Sequence, residues 1–129
     1  MIQFKPAGYN SVSPYFVVKD ADKLIDLLKD LFDAVVLRRY DMPDGTLLHG
    51  EVGIDDSVVM MGTASEEYPP NQLLVHVYVP DVDETFDKAI DAGCQVINEP
   101  QENEGDPDRR GIFKDFEGNL WSIATQVEK

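Results

Sequence analysis

The feature that most constrains how this chain folds is a repeat within it. Displaced by 61 positions, Asp20, Asp22, Asp26 and Asp30 fall on Asp81, Asp83, Asp87 and Asp91, while Val18 falls on Val79 and Val35 on Val96. Displaced by 62, the run Val58-Val59-Met60-Met61 falls on Leu120-Trp121-Ser122-Ile123. Matching acidic residues alone mean little in a chain with 25 Asp and Glu. Their registration with the apolar runs is what identifies a tandem duplication.

Each copy reads as the same succession of elements. Residues 12–18 (VSPYFVV) are apolar and rich in β-formers, and they end at Lys19-Asp20. Asp20 or Asp22 then caps a helix running to Phe32, with Leu24, Ile25, Leu27, Leu28, Leu31 and Phe32 on its apolar side. Strands follow over 34–40, 47–53 and 57–62, divided by turns at Pro43-Asp44-Gly45 and Asp55-Asp56. Residues 63–72, polar and carrying Pro69-Pro70, form a connector. The second copy gives a strand over 73–79, a helix over 82–92 closed by Gly93, and a strand over 94–98. A polar loop is expected over 99–110, then strands near 111–114 and 120–124 separated by Asp115-Phe116-Glu117-Gly118-Asn119. The predicted class is α+β: one domain, residues 1–129, made of two βαβββ modules at about 12–62 and 72–125.

Charge narrows the partners. With 11 Lys and Arg against 25 Asp and Glu the net charge is −14, the wrong sign for nucleic acid or an anionic membrane. The lone cysteine, Cys94, excludes an internal disulfide and has no metal-ligand spacing, which leaves it an inert strand-end residue. No apolar run reaches the roughly 18 residues of a membrane span, and the N-terminus MIQFKPAGYN lacks the pattern of a secretion signal. A cytoplasmic protein is expected. Glycine-rich phosphate loops, nucleophile elbows and the twelve-residue calcium loop are all missing from the sequence.

The stretches PYFVVKDADKLIDLL, MPDGTLLHGEVGIDDSVVMMG, LLVHVYVPDVDETFDKAIDAG and FKDFEGNLWSIAT resemble the vicinal oxygen chelate superfamily. That superfamily includes glyoxalase I, extradiol dioxygenases, fosfomycin resistance enzymes and bleomycin resistance proteins. The resemblance covers about residues 12–125 and is greatest to the PhnB-like subgroup. It implies the glyoxalase/bleomycin resistance fold, with each sheet curled into a shallow cup, and a homodimer. It does not imply one chemistry, because the same scaffold carries unrelated reactions and plain binders.

Strand alternation sorts the side chains between helix and cup. Phe16 and Val18, Val75 with Val77 and Val79, and Trp121 with Ile123 are expected beneath the helices. Ser13, Tyr15 and Val17, then Val58 and Met60, then Leu74, His76 and Tyr78, and finally Leu120, Ser122 and Ala124 face the cup, together with His49, Glu51 and Gly53. Metal-using members of the superfamily take His, Gln or Glu ligands from the first, fourth, fifth and eighth strands. The matching positions here are Ser13, Met60, Leu74 and Ser122, which supply neither an imidazole nor a carboxylate. No cofactor is expected at the usual place. The alternative is a shifted divalent site of His49, Glu51 and His76, with Glu51 as the candidate catalytic group of a lyase or dioxygenase.

For a metal-free cup the expected ligand-binding residues are Ser13, Tyr15, Met60, Leu74, His76, Tyr78, Arg109 and Ser122. Tyrosines offer stacking and a hydroxyl. Among Arg38, Arg39, Arg109 and Arg110, Arg109 is the expected anion receptor, because its segment Gly105-Asp106-Pro107-Asp108-Arg109-Arg110 resembles a family motif ahead of the seventh strand. The function expected is a small-molecule-binding cup of unassigned activity, and the acidic balance favours a cationic ligand.

Overall fold

A computed structural model of the chain describes residues 2–127. The chain divides into two compact units, residues 1–71 and 72–129.

In the first unit β1 (Tyr15–Val18) leads into α1 (Ala21–Phe32), then β2 (Val35–Asp41), β3 (Leu47–Ile54) and β4 (Ser57–Thr63). The sheet order is β1-β4-β3-β2, with β1 parallel to β4 and the other neighbours antiparallel. Asp20 is the cap: its carboxylate accepts from the Lys23 N–H at 3.1 Å. The helix ends where Asp33 takes a left-handed conformation (φ 53°) and returns its N–H to the last turn. Leu24 and Leu28 are wholly buried, as are Phe16, Val18, Val52 and Met61 from the strands, so the helix covers one face of the sheet and leaves the other open. Asn71 seals the outer edge of β1. Its side chain accepts from the Val17 N–H and donates to the Tyr15 carbonyl, both at 2.9 Å, as a neighbouring strand would.

The second unit repeats the plan with β5 (Leu74–Tyr78), α2 (Val82–Asp91), β6 (Gln95–Glu102), β7 (Asp108–Lys114) and β8 (Leu120–Gln126), in the order β5-β8-β7-β6. Asp81 caps α2 as Asp20 caps α1, accepting from the Glu84 N–H at 3.2 Å. Phe86 meets Phe113 edge-on, and Phe113 stacks on Trp121, which places the aromatic core under the helix. Two four-stranded sheets with two helices thus form the expected α+β fold of tandem modules.

One expectation is corrected. Residues 99–110 are not a loop, because β6 continues to Glu102 and β7 begins at Asp108. Pro100 lies within β6. It sits in an edge strand, where a missing N–H costs no ladder bond, and the register slips between Asn98 and Gln101 to accommodate it. Gly111 allows this close approach, since a side chain there would meet the Pro100 nitrogen at 3.0 Å.

Residues 115–119 form a turn organised by Asp115, itself buried. Its carboxylate accepts from the backbone N–H groups of Glu117 and Asn119 at 2.9 Å, and from the Trp121 indole N–H at 2.8 Å. Replacing Asp115 with Ala would leave buried donors unsatisfied. A loss of roughly 3 kcal/mol is expected in denaturant unfolding of Asp115→Ala, and a value within 0.5 kcal/mol of wild type would contradict this account.

Candidate functional site

Cα pairing sets the rows of the open face in the first unit. Tyr15 lies beside Met60, Met60 beside Glu51, and Glu51 beside Arg38. His49 shares this face with Glu51 by alternation, and its strand neighbour is Tyr40. The expected grouping of Tyr15, Met60, His49 and Glu51 on one face is therefore what the strands produce.

Glu51 is the centre of that face. Only 6% exposed, it is held by three groups. The Tyr9 hydroxyl donates to Oε1 at 2.6 Å, the His49 Nε2 lies 2.8 Å from Oε2, and the Arg38 Nε lies 3.6 Å from Oε1. The Tyr9 hydrogen bond above all, with those of His49 and the charge of Arg38, holds the Glu51 carboxyl below the ordinary glutamate range against the opposing effect of burial. Glu51 is thus ionised, and the Tyr9 hydroxyl that serves it is pushed up. The Arg38 guanidinium completes the shell, 5.5 Å over the Tyr9 ring.

A carboxylate can only accept, so the His49 Nε2 carries the proton shared with Glu51. The other ring nitrogen, Nδ1, lies 3.0 Å from the Tyr15 hydroxyl. The Tyr15 and Tyr40 rings both stack with the imidazole, at centroid distances of 5.7 and 6.3 Å. Burial and the Glu51 charge raise the Tyr15 hydroxyl above the ordinary tyrosine range, so it stays a neutral phenol.

This chain of groups opens into a pocket of about 590 Å³, whose lining includes Tyr15, Leu48, His49, Gly62, Glu67 and Tyr68. Leu48 reaches it through a bulge: between Tyr40 and Asp41 the register of β2 on β3 slips, and Leu48 turns out of the sheet, 53% exposed. The bulge also brings the Leu48 carbonyl over Gly62, where a Cβ would meet it at 2.8 Å and the Tyr15 hydroxyl at 3.2 Å. Glycine at 62 is what lets the tyrosine lie flat against β4. The other wall comes from the segment read as a mere connector, which turns at Ser65–Tyr68 through the Ser65 N–H to Tyr68 carbonyl bond at 2.9 Å.

The remaining expected residues are distributed differently. Ser13 lies just ahead of β1, half-buried. Leu74, His76, Tyr78 and Ser122 belong to the open face of the second unit, where His76 pairs with Ser122 across the strands and its Nδ1 lies 3.3 Å from the Ser122 hydroxyl. The Tyr78 hydroxyl donates to Asp108 at 2.7 Å. Arg109 is on the helix side of its sheet, bound through Nε and Nη2 to the two carboxylate oxygens of Asp83 at 2.9 and 3.0 Å. Arg110, one residue on, shares the open face and is committed to Asp106 and Asp108. Arg109, the expected anion receptor, is thus occupied by Asp83, one step of alternation from the open face.

The shifted metal alternative draws on both units, with His49 and Glu51 in the first and His76 in the second. His49 and Glu51 spend their facing atoms on each other, and among the described residues no group of three or more His, Cys, Asp or Glu is arranged to hold a metal ion. Sequence reasoning missed Tyr9, which completes the Glu51 shell. Its signal was the turn Pro6-Ala7-Gly8-Tyr9, closed by the Tyr9 N–H to Pro6 carbonyl at 3.3 Å with Gly8 at φ +85°.

The sequence profile of the Glyoxalase/Bleomycin resistance protein/Dioxygenase superfamily matches residues 9–123. The chain belongs to this superfamily. Uncharacterized proteins of Mycobacterium bovis and Mycobacterium tuberculosis are each 33% identical to it over 130 residues, covering 92% of this chain and 85% and 76% of theirs. The crystal structure of TioX from Micromonospora sp. ML1 is similar with a TM-score of 0.76 at 25% identity, over 92% of this chain and 99% of that one. TnmS3, an antibiotic-binding protein from Streptomyces sp. CB03234, shares the fold with a TM-score of 0.66 at 19% identity, over 95% and 100%. The fosfomycin resistance protein FosX of Mesorhizobium loti does so with 0.66 at 17%, over 92% of each chain. Ser13, Met60, Leu74 and Ser122, the positions that the resemblance matches to the usual metal ligands, offer two hydroxyls, a thioether and an alkyl group, a donor set that does not fit a divalent metal.

The depressed Glu51 value makes stability depend on pH in a defined direction. Its contribution is complete above the ordinary glutamate range and is lost as pH falls through that range toward the lower folded value. Glu51→Gln is expected to lose roughly 1–3 kcal/mol at pH 7. That deficit should shrink as both proteins are unfolded at progressively lower pH, and a constant deficit would refute the ionised assignment.

Proposed function

We propose that this protein binds a small, largely apolar molecule on the open face of its first module, without a divalent metal. The observation that carries the reading is the pocket of about 590 Å³ walled by Tyr15, Leu48 and Tyr68. Leu48 and Tyr68 are 53% and 64% exposed, an apolar surface that a ligand would cover. The unsuitable donors at the usual ligand positions support a metal-free mode, and TnmS3 shows that a protein of this fold serves in antibiotic binding.

A binding role also suits the chemistry of the polar groups. The Glu51 carboxylate is enclosed by Tyr9, His49 and Arg38, and it serves to hold His49 in place rather than to meet a substrate. We take the protein to be a homodimer, as the resemblance to its superfamily implies, and cytoplasmic, as the sequence reading expects. Among the described residues no helix is long and apolar enough to cross a membrane.

Two measurements check this reading. Thermal unfolding of chelator-stripped protein is expected to be unmoved by Zn(II), Mn(II), Fe(II), Co(II) or Ni(II), because only a ligand bound to the folded state raises its stability. A metal-specific rise abolished by His76→Ala would restore the lyase or dioxygenase alternative. In calorimetric titration with an aromatic compound library, Tyr68→Ala is expected to weaken the hits about tenfold by removing one stacking wall. Unchanged affinity in that variant would remove the pocket from the account.

A further inference from the structure

The pocket proposed above has a polarity that its hydrogen bonds determine, and this polarity names the class of molecule it takes. The argument begins at Glu51. As an ionised carboxylate it accepts from the His49 Nε2–H at 2.8 Å, and in the singly protonated ring this leaves Nδ1 as a bare lone pair. That lone pair faces the Tyr15 hydroxyl at 3.0 Å and can only accept. The Tyr15 proton is therefore turned inward onto His49.

What remains of the Tyr15 hydroxyl for the pocket is its oxygen, an acceptor whose electron density is raised by the bond it donates. Among the described lining residues the charged side chain is Glu67, a carboxylate that only accepts. Among the described residues that line the pocket there is no Lys or Arg, and the chain as a whole carries −14. The Ser65 hydroxyl accepts from the Tyr68 N–H at 3.1 Å, and the hydroxyls of Thr63, Ser65 and Tyr68 in the lining can each turn to donate or accept. Apolar walls are thus paired with two fixed acceptors, the Tyr15 oxygen and the Glu67 carboxylate, with hydroxyls that adapt to either role and, among the described lining residues, with no Lys or Arg.

We propose that the pocket selects an aromatic or similarly apolar molecule that carries a hydrogen-bond donor, an amine or a hydroxyl, directed at the Tyr15 oxygen, and that it rejects carboxylates. The inference rests on the binding reading above and adds the chemistry of the ligand. Glu51 and His49 are positioning residues in this scheme: neither touches the ligand through a hydrogen bond, and both fix which end of the Tyr15 hydroxyl is presented.

The test has two arms. The first reads the proton directly. In long-range proton–nitrogen NMR at neutral pH, with the two histidines told apart by His76→Gln, His49 is expected as the neutral ring protonated at Nε2. A proton on Nδ1 would overturn the proposal, because the Tyr15 hydroxyl would then be free to donate to the ligand.

The second arm measures dissociation constants for four probes on one scaffold: 2-(aminomethyl)naphthalene, 2-naphthol, 2-methoxynaphthalene and 2-naphthoate. The amine and the naphthol are expected to bind, the methoxy compound about tenfold more weakly than the naphthol, and the carboxylate weakest of all. In Tyr15→Phe the naphthol and methoxy compounds should come within about twofold of each other. Equal binding of all four, or a naphthol preference retained in Tyr15→Phe, would overturn the donor requirement while leaving the pocket in place. Failure of every probe to bind would instead remove the pocket reading on which it depends.

Discussion

The arrangement of the first module depends on one buried carboxylate. A charge that loses its water must be repaid by hydrogen bonds, or it protonates or destabilises the fold. Glu51 meets that demand with Tyr9, His49 and Arg38, which come from the N-terminal segment, its own strand and the neighbouring strand. Meeting it has consequences beyond stability. The N-terminal segment is tied to the sheet, the imidazole is held in one tautomer, and the Tyr15 hydroxyl is oriented by the imidazole.

The two modules make this specialisation visible because they began alike. In the first sheet one row reads Tyr15, Met60, Glu51 and Arg38. The matching row of the second reads His76, Ser122, Ile112 and Asn98. Where one copy places a charge that must be enclosed, the other places an isoleucine. The capping aspartates Asp20 and Asp81 and the buried strand residues have kept their roles, because capping and core packing impose the same demand on both copies. The open faces carry no such shared demand. They are free to diverge, and this is how one superfamily scaffold comes to host different functions.

Much of this was legible in the sequence, and the parts that were not have physical reasons. Repeat, helix caps and strand alternation identified both helices, all eight strands and the buried identities of Phe16, Val18, Trp121 and Ile123, since each follows from local spacing. The extent of β6 was missed because residues 99–110 are polar, and a polar strand is told from a loop only once the sheet shows that it lies at an edge. Alternation counted from Gly111 does not reach Arg109 safely, because the start of β7 was hidden in the same misread loop. On the candidate site, His49, Glu51 and Tyr15 were singled out, yet their linkage was not. The partner that completes it, Tyr9, lies outside any strand and is separated from Glu51 by 42 positions. The wall formed by residues 63–68 was likewise invisible, since a polar connector becomes a pocket wall only once its turn is folded.

The most direct test of the account is a map of where a ligand sits. Amide chemical shifts recorded while 2-(aminomethyl)naphthalene is titrated in should move first and furthest at Gly62, Thr63, Ser65 and Tyr68, beside Tyr15 and His49. Changes gathered instead on residues 74–78 and 120–124 of the second module would contradict the assignment of the site to the first.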